Sequence, residues 1–174
     1  LHMAMTLRDD LASRKSGRVF LDSLCEVHGI PLRKIRNIND EEALQHLMDA
    51  ELDWIFIIGW SQIARETVLS IPSRGILGIH PTLLPEGRGR AAIPWAILKG
   101  LDATGVTLFQ LDSGVDTGPI LAQERLPLSP RETATSLYVR VNEAHRTLIR
   151  RIWADLANGS LRSVPQDSSL ATTW

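Results

Sequence analysis

The sequence predicts an α/β fold: a Rossmann-like open sheet, mostly parallel, with helices on both faces. Three observations carry this. Short apolar, β-branched runs alternate with amphipathic stretches along the chain, the pattern of an open sheet with helical crossovers. The run Trp54 to Ile58 (WIFII) is continuously apolar, as expected of a strand covered on both faces in a parallel sheet. With 174 residues, 44% of them hydrophobic, the chain can build one sizeable core.

The elements follow in order. LHMAMTL (1–7) reads as a buried strand running into the polar turn 8–10, so the chain is expected to start inside a fold. Val19 to Val27 has helical apolar spacing and stops at Gly29, with Pro31 beyond. Leu32 to Ile35 is a short strand. Asp40 is expected to cap a helix running to about Ala50, with acidic residues in its first turn. Ile63 to Ile71 is predicted helical and Gly75 to Ile79 a buried strand. Ala91 to Leu98 follows as a helix, with Pro94 tolerated in its first turn. Strands are predicted at Val106 to Leu111 and Ile120 to Leu128. Arg131 to about Ala157 is one long helix, with Leu137, Val141, Ala144, Leu148, Ile152 and Leu156 along one stripe. After Gly159 the Ser/Pro/Thr-rich text reads as a linker or tail.

Composition excludes several classes. Nineteen basic residues against twenty acidic ones leave no electrostatic footprint for general nucleic-acid or membrane-surface binding. A single Cys rules out a disulfide framework and a Cys-rich zinc site, and Cys25 with His28 is only half a metal site. No apolar run approaches the roughly 20 residues of a membrane span. A cytoplasmic protein that uses no metal and engages no membrane is expected.

Ligands of open α/β sheets sit beyond the carboxyl ends of the strands. Three chemically unusual segments fall there: GWSQ (59–62), GIHPTLLPEGRGRAAIPW (78–95) and LDSGVDTGPI (111–120). Gly59-Trp60-Ser61 lacks the second Gly of a hydrolase nucleophile elbow, because Ile63 stands in its place. GRGRAA (87–92) lacks the preceding strand that a dinucleotide fingerprint requires. His80 closes a buried strand, is followed by Pro81, and precedes a loop rich in Gly and Arg. Asp116 sits in a turn with Gly114 and Gly118, where backbone N–H groups can hold a carboxylate. At neighbouring strand ends the two can pair, the carboxylate orienting the imidazole for proton transfer.

The segments HPTLLPEGRGRAAIPWAILKG (80–100) and TGVTLFQLDSGVDTGPIL (104–121) resemble the folate-dependent formyltransferases. That family acts on methionyl-tRNA, glycinamide ribonucleotide, amino sugars and siderophore amines. The resemblance is dense over roughly 54–125. The family pattern is Asn-x-His in the first loop and Asp in the second, and His80 and Asp116 fall at the His and Asp positions.

The resemblance implies the formyl donor 10-formyltetrahydrofolate, bordered by Trp60, Ser61, Gln62 and Ile63 and by Leu111, Asp112, Ser113, Gly114 and Val115. His80 and Asp116 would be catalytic, with Gly78, Thr82, Arg88 and Arg90 shaping the acceptor side. The expected reaction is formyl transfer to an amine, with a small molecule preferred. A tRNA acceptor is an alternative, through a region outside this sequence. Two further alternatives are a formyltetrahydrofolate hydrolase and a folate-binding domain that has lost catalysis.

Two departures stand out. Gly78 occupies the Asn position, so an active enzyme must replace that donor, from Gln62, Thr82 or a water in the space left open, or run slowly, or not transfer formyl at all. Restoring Asn there is expected to raise turnover. Relative to the family pattern the first strand and helix are missing. Residues 1–162 are therefore read as an N-terminally incomplete catalytic domain, and 163–174 as a linker or the start of an absent C-terminal region.

Overall fold

A computed structural model describes residues 1–14 and 18–174. The chain divides into two compact units, Leu1–Asp53 with Ser61–Ser73, and Trp54–Trp60 with Arg74–Trp174.

In the first unit, strands β1 (Ala4–Leu7) and β2 (Leu32–Ile35) pair in parallel. Helix α1 (Asp22–Val27) connects them, and α2 (Glu41–Met48) and α3 (Glu66–Leu69) follow. Leu7, Cys25, Ile35, Ala43 and Leu47 are buried here. Lys34 bridges two carboxylates, Asp9 at 2.6 Å and Asp22 at 2.5 Å. The Lys34 hydrogen bond lowers the Asp22 pKa below the ordinary carboxylate range.

Two expectations need correction. The Asp40 side chain makes no capping hydrogen bond, so α2 starts from extended backbone at Asp40 and two acidic residues in its first turn. The helix expected over Ile63 to Ile71 shrinks to α3, because the groups before it are committed elsewhere. Gln62 is bonded to Ile38 N and Arg36 O, Ile63 O accepts from Asn39, and Arg65 N donates to Asn39 Oδ1.

The second unit holds a four-stranded open sheet in the order β3 (Trp54–Ile57), β4 (Gly75–His80), β5 (Ala103–Gln110), β6 (Ile120–Pro127). β3 and β4 are parallel, whereas β4–β5 and β5–β6 are antiparallel. The parallel pairings thus belong to the earlier strands. Helices α4 (Ala92–Leu98) and α5 (Ala134–Asn158) share one apolar core with the sheet.

Alternation along a strand sends successive side chains to opposite faces. Leu77, Val106 and Leu108 join Ile93 and Ala96 of α4 and the whole predicted stripe of α5, Leu137 to Leu156. Burying each of the large side chains stabilises the unit by roughly 1.5–3 kcal/mol. Thr133 and Ser136 form a capping box that starts α5, and Gly159 ends it in the left-handed region. The opposite face of β5 is covered by the chain after β4. Thr107 Oγ1 donates to Thr82 O at 2.7 Å and accepts from Leu84 N at 3.0 Å.

The stretch after Gly159 contains a short helical turn, Ser168–Leu170, and otherwise extended chain held by the second unit. Val164 exchanges two backbone hydrogen bonds with Ile120, and Thr173 bridges to Arg88. Among the described residues no helix is long and apolar enough to cross a membrane.

Candidate active site

Gly78 and His80 are two residues apart on β4, so they share the face opposite the α4–α5 core. His80 pairs in register with Thr107, and its side chain is nearly buried. Nε2 lies 2.8 Å from the carbonyl oxygen of Gly87, an acceptor, so this nitrogen carries the proton. Nδ1 is thereby turned toward Asp116, 3.6 Å from Oδ2. Sequence reasoning paired these two residues, and the fold brings them together.

Asp116 is held in the left-handed region, φ 54°, which Asp tolerates better than most residues. Gly89 N donates to its Oδ2 at 2.9 Å. The expected backbone N–H clamp therefore exists, supplied by the loop after β4 rather than by Asp116's own turn. That turn is closed by Asp112, whose Oδ1 accepts from Thr117 Oγ1 at 2.6 Å and Gly114 N at 3.1 Å. It is also tight at Gly118, where a Cβ would lie 1.8 Å from Gln110 O.

Trp60 and Leu111 to Val115 lie in the second unit, and Ser61, Gln62 and Ile63 in the first. Asp112 to Val115 are exposed. Gln62 is not a spare donor, because its amide is used at both ends by Ile38 and Arg36. Thr82 is buried, and its Oγ1 has no partner among the described residues. The space beside Gly78 is not open: a Cβ there would lie 2.3 Å from Leu111 Cδ1 and 3.3 Å from the Phe109 ring. This corrects the expectation that a water could replace the missing Asn. Leu111, the first residue past β5, folds over that position, so an Asn side chain at 78 must first displace it.

The two arginines differ. Arg88 is committed, its Nη2 donating to Gln166 Oε1 at 2.8 Å and its Nε at 3.2 Å. Arg90 is exposed.

Gln166 has no counterpart in the sequence reading. Its Nε2 donates to Asp116 O at 2.9 Å and to Gly118 O at 2.7 Å. It stands fifty residues from Asp116 in a polar stretch without periodicity. No local signal marks it.

A reduced-folate formyl donor makes demands that can be tested on these residues. Its flat polar ring needs exposed backbone and unspent donors. Asp112 to Val115 are exposed, and the Trp60 indole N–H and Thr82 hydroxyl are buried without partners among the described residues. These residues fit the group. Among the described residues no cluster of three or more His, Cys, Asp or Glu could hold a metal.

Residues 12–152 match the Formyl transferase family model. The chain belongs to the formyl transferase family. It is 36% identical over 144 residues to a methionyl-tRNA formyltransferase of Acidithiobacillus ferrooxidans, covering 83% of this chain and 46% of that protein. A methionyl-tRNA formyltransferase of Synechococcus is 37% identical over 150 residues, covering 86% and 47%. The chain thus spans about half the length of these curated relatives.

Among solved structures, the phosphoribosylglycinamide formyltransferase of Streptococcus pneumoniae superposes with a TM-score of 0.74 at 23% identity, covering 89% of this chain and 98% of that one. A formyltransferase of Anoxybacillus kamchatkensis, in complex with UDP-4,6-dideoxy-4-formamido-L-AltNAc and tetrahydrofolate, gives 0.72 at 20% identity, covering 99% and 85%. Both likenesses concern the fold, and the Rossmann-like expectation is borne out by them.

Proposed function

We propose that this chain carries the catalytic part of an enzyme that transfers a formyl group from 10-formyltetrahydrofolate to an amine, with a small-molecule amine as acceptor. The carrying observation is the His80–Asp116 pair at 3.6 Å, assembled from two strand-end loops of a formyl transferase family chain.

When bound, 10-formyltetrahydrofolate supplies an electrophilic formyl carbon. Trp60 and the 111–115 loop would hold the donor in the second unit. His80 keeps Nε2 anchored on Gly87, so its ring presents Nδ1 and cannot rotate away from Asp116. A proton lost by the attacking amine is received by this pair, on Nδ1 or on the carboxylate of Asp116. With Gly89 N fixing Oδ2, the carboxylate stabilises charge arising on the imidazole. Exposed Arg90, next in the chain to Gly89, would attract an anionic portion of the acceptor.

Near-neutral charge supports a small acceptor, as does the sugar nucleotide in the Anoxybacillus enzyme. A second reading has methionyl-tRNA as acceptor, favoured by the curated relatives at 36–37% identity. The test is incubation of the purified protein with 10-formyltetrahydrofolate and a panel of amino-sugar nucleotides, hydroxylated ornithine and methionyl-tRNA, read by mass. A gain of one formyl group on a small amine is expected. Gain on methionyl-tRNA alone selects the second reading. Formate release without any amine replaces both with a hydrolase, and folate binding without turnover replaces them with a binding domain.

A further inference from the structure

The geometry points to Gln166 as a positioning residue of the site, acting through Asp116 and, beyond it, His80. The proposal rests on the catalytic reading of that pair.

The segment containing Gln166 runs across both site loops. At one end Val164 pairs with Ile120, directly after the Asp116 turn. At the other end Thr172 O accepts from Arg88 N at 2.9 Å, Thr172 Oγ1 accepts from Gly87 N at 2.9 Å, and Trp174 N donates to Arg88 O at 2.9 Å. Between these anchors, the Gln166 side chain joins the loops directly. Its amide orientation is dictated by chemistry. The carbonyls of Asp116 and Gly118 only accept, and the Arg88 guanidinium only donates, so NH₂ and oxygen have one assignment each.

The residues tied together are those that orient the pair. Arg88 lies between Gly87, whose carbonyl anchors His80 Nε2, and Gly89, whose N–H anchors Asp116 Oδ2. On the other side Gln166 holds the carbonyl of Asp116, a residue in left-handed backbone. Such a conformation persists only where its surroundings over-determine it. Released from Gln166, Asp116 can relax and its carboxylate can leave Nδ1. Gln166 bonds to the Asp116 carbonyl, Gly118 and Arg88 rather than to the ring or the carboxylate, so it positions and does not react.

Gln166→Met preserves length and apolar contact while removing both ends of the hydrogen-bond bridge. Gln166→Glu keeps the Arg88 contact but aims an oxygen at two carbonyl oxygens. Both variants of the purified protein would be compared with the parent in kcat, KM and the long-range ¹H–¹⁵N spectrum of the histidine rings. The expected result is a kcat loss of about tenfold or more, with both KM values within about twofold of the parent. The His80 ring signals should move while those of His145, in the long helix, stay in place. In an Asp116→Ala background, Gln166→Met should cost no further rate.

A folded variant with unchanged His80 signals overturns the proposal, whatever its rate. So does a variant whose only change is lower thermal stability. If the parent transfers no formyl group but the His80 signals still move, the positioning role stands and the formyl-transfer reading fails. If Gln166→Met does not fold, Gln166→Glu decides by the same readouts.

Discussion

Helix α5 and the loop pair around His80 belong to the same unit but are held by opposite means. The helix is set by six apolar residues at helical spacing, all buried against β5 and its neighbours. The loops are set by directed hydrogen bonds: Gly89 N to Asp116, His80 to Gly87 O, and Gln166 to three partners. Burial is non-directional and tolerates small shifts, whereas a hydrogen-bonded pair depends on tenths of an ångström. The helix should therefore govern stability and the loops should govern rate.

The strongest challenge to that division is removal of the pair itself. His80→Ala and Asp116→Ala should each lower turnover by about 10² to 10⁴, the usual worth of a positioned acid–base group. The double variant should lose little more than the worse single, because the two act as a unit. Steady-state kinetics on samples with parental circular dichroism check this. Near-normal turnover in folded Asp116→Ala would reduce that residue to a turn former.

Leu148→Ala tests the other side. Leu148 is fully buried in the core of the second unit, so the change should cost about 2–5 kcal/mol of stability. Turnover per folded molecule should stay near the parent's. Denaturant unfolding and kinetics on the same preparation decide, and a large loss of kcat with unchanged stability would contradict the division.

A smaller effect is expected at Gly78. An Asn there must push Leu111 aside, and Leu111 opens the loop that carries Asp116. This reverses the expectation of a gain drawn from the sequence: Gly78→Asn alone should lower turnover by about tenfold, roughly 1.4 kcal/mol in the barrier. Adding Leu111→Ala makes room for the side chain and should recover the loss or exceed it. Equal rates for parent, single and double variants would show that this position lies away from the developing charge.

The smallest effect concerns His145, in α5. Burial lowers its pKa below the ordinary histidine value, and its Nε2 is buried without a partner among the described residues. The unfolded chain then binds the proton more readily than the folded one, so stability falls as pH drops below about 6.5. His145→Phe should flatten that fall between pH 7 and 5 without altering turnover at pH 7. Thermal melts across that range measure it, and identical pH dependence in both proteins would remove His145 from the account.

How far each region could be read in advance follows the same line. The stripe of α5 was legible because burial on one helical face leaves a period in the sequence. His80 and Asp116 were legible because each closes or follows a strand amid turn residues, and because the surrounding segments resemble a known family. Arg88 and Arg90 could not be told apart, since a neighbouring segment commits one and leaves the other exposed. The length of α3 was misjudged for a related reason: Gln62 and Arg65 bond across to residues 36–39.

The sequence by itself determined the element order, the apolar face of the long helix, the near-neutral charge and the two residues of the candidate pair. The first three depend on local spacing and on residue type, and the pair also on the resemblance of its segments to a known family. Only the tertiary structure decided that Leu111 fills the space beside Gly78, that Gly89 clamps Asp116, and that Gln166 ties both loops. Contacts between residues tens of positions apart leave no period in the chain. They exist once burial has brought the strand ends together and each polar group there has to find a partner.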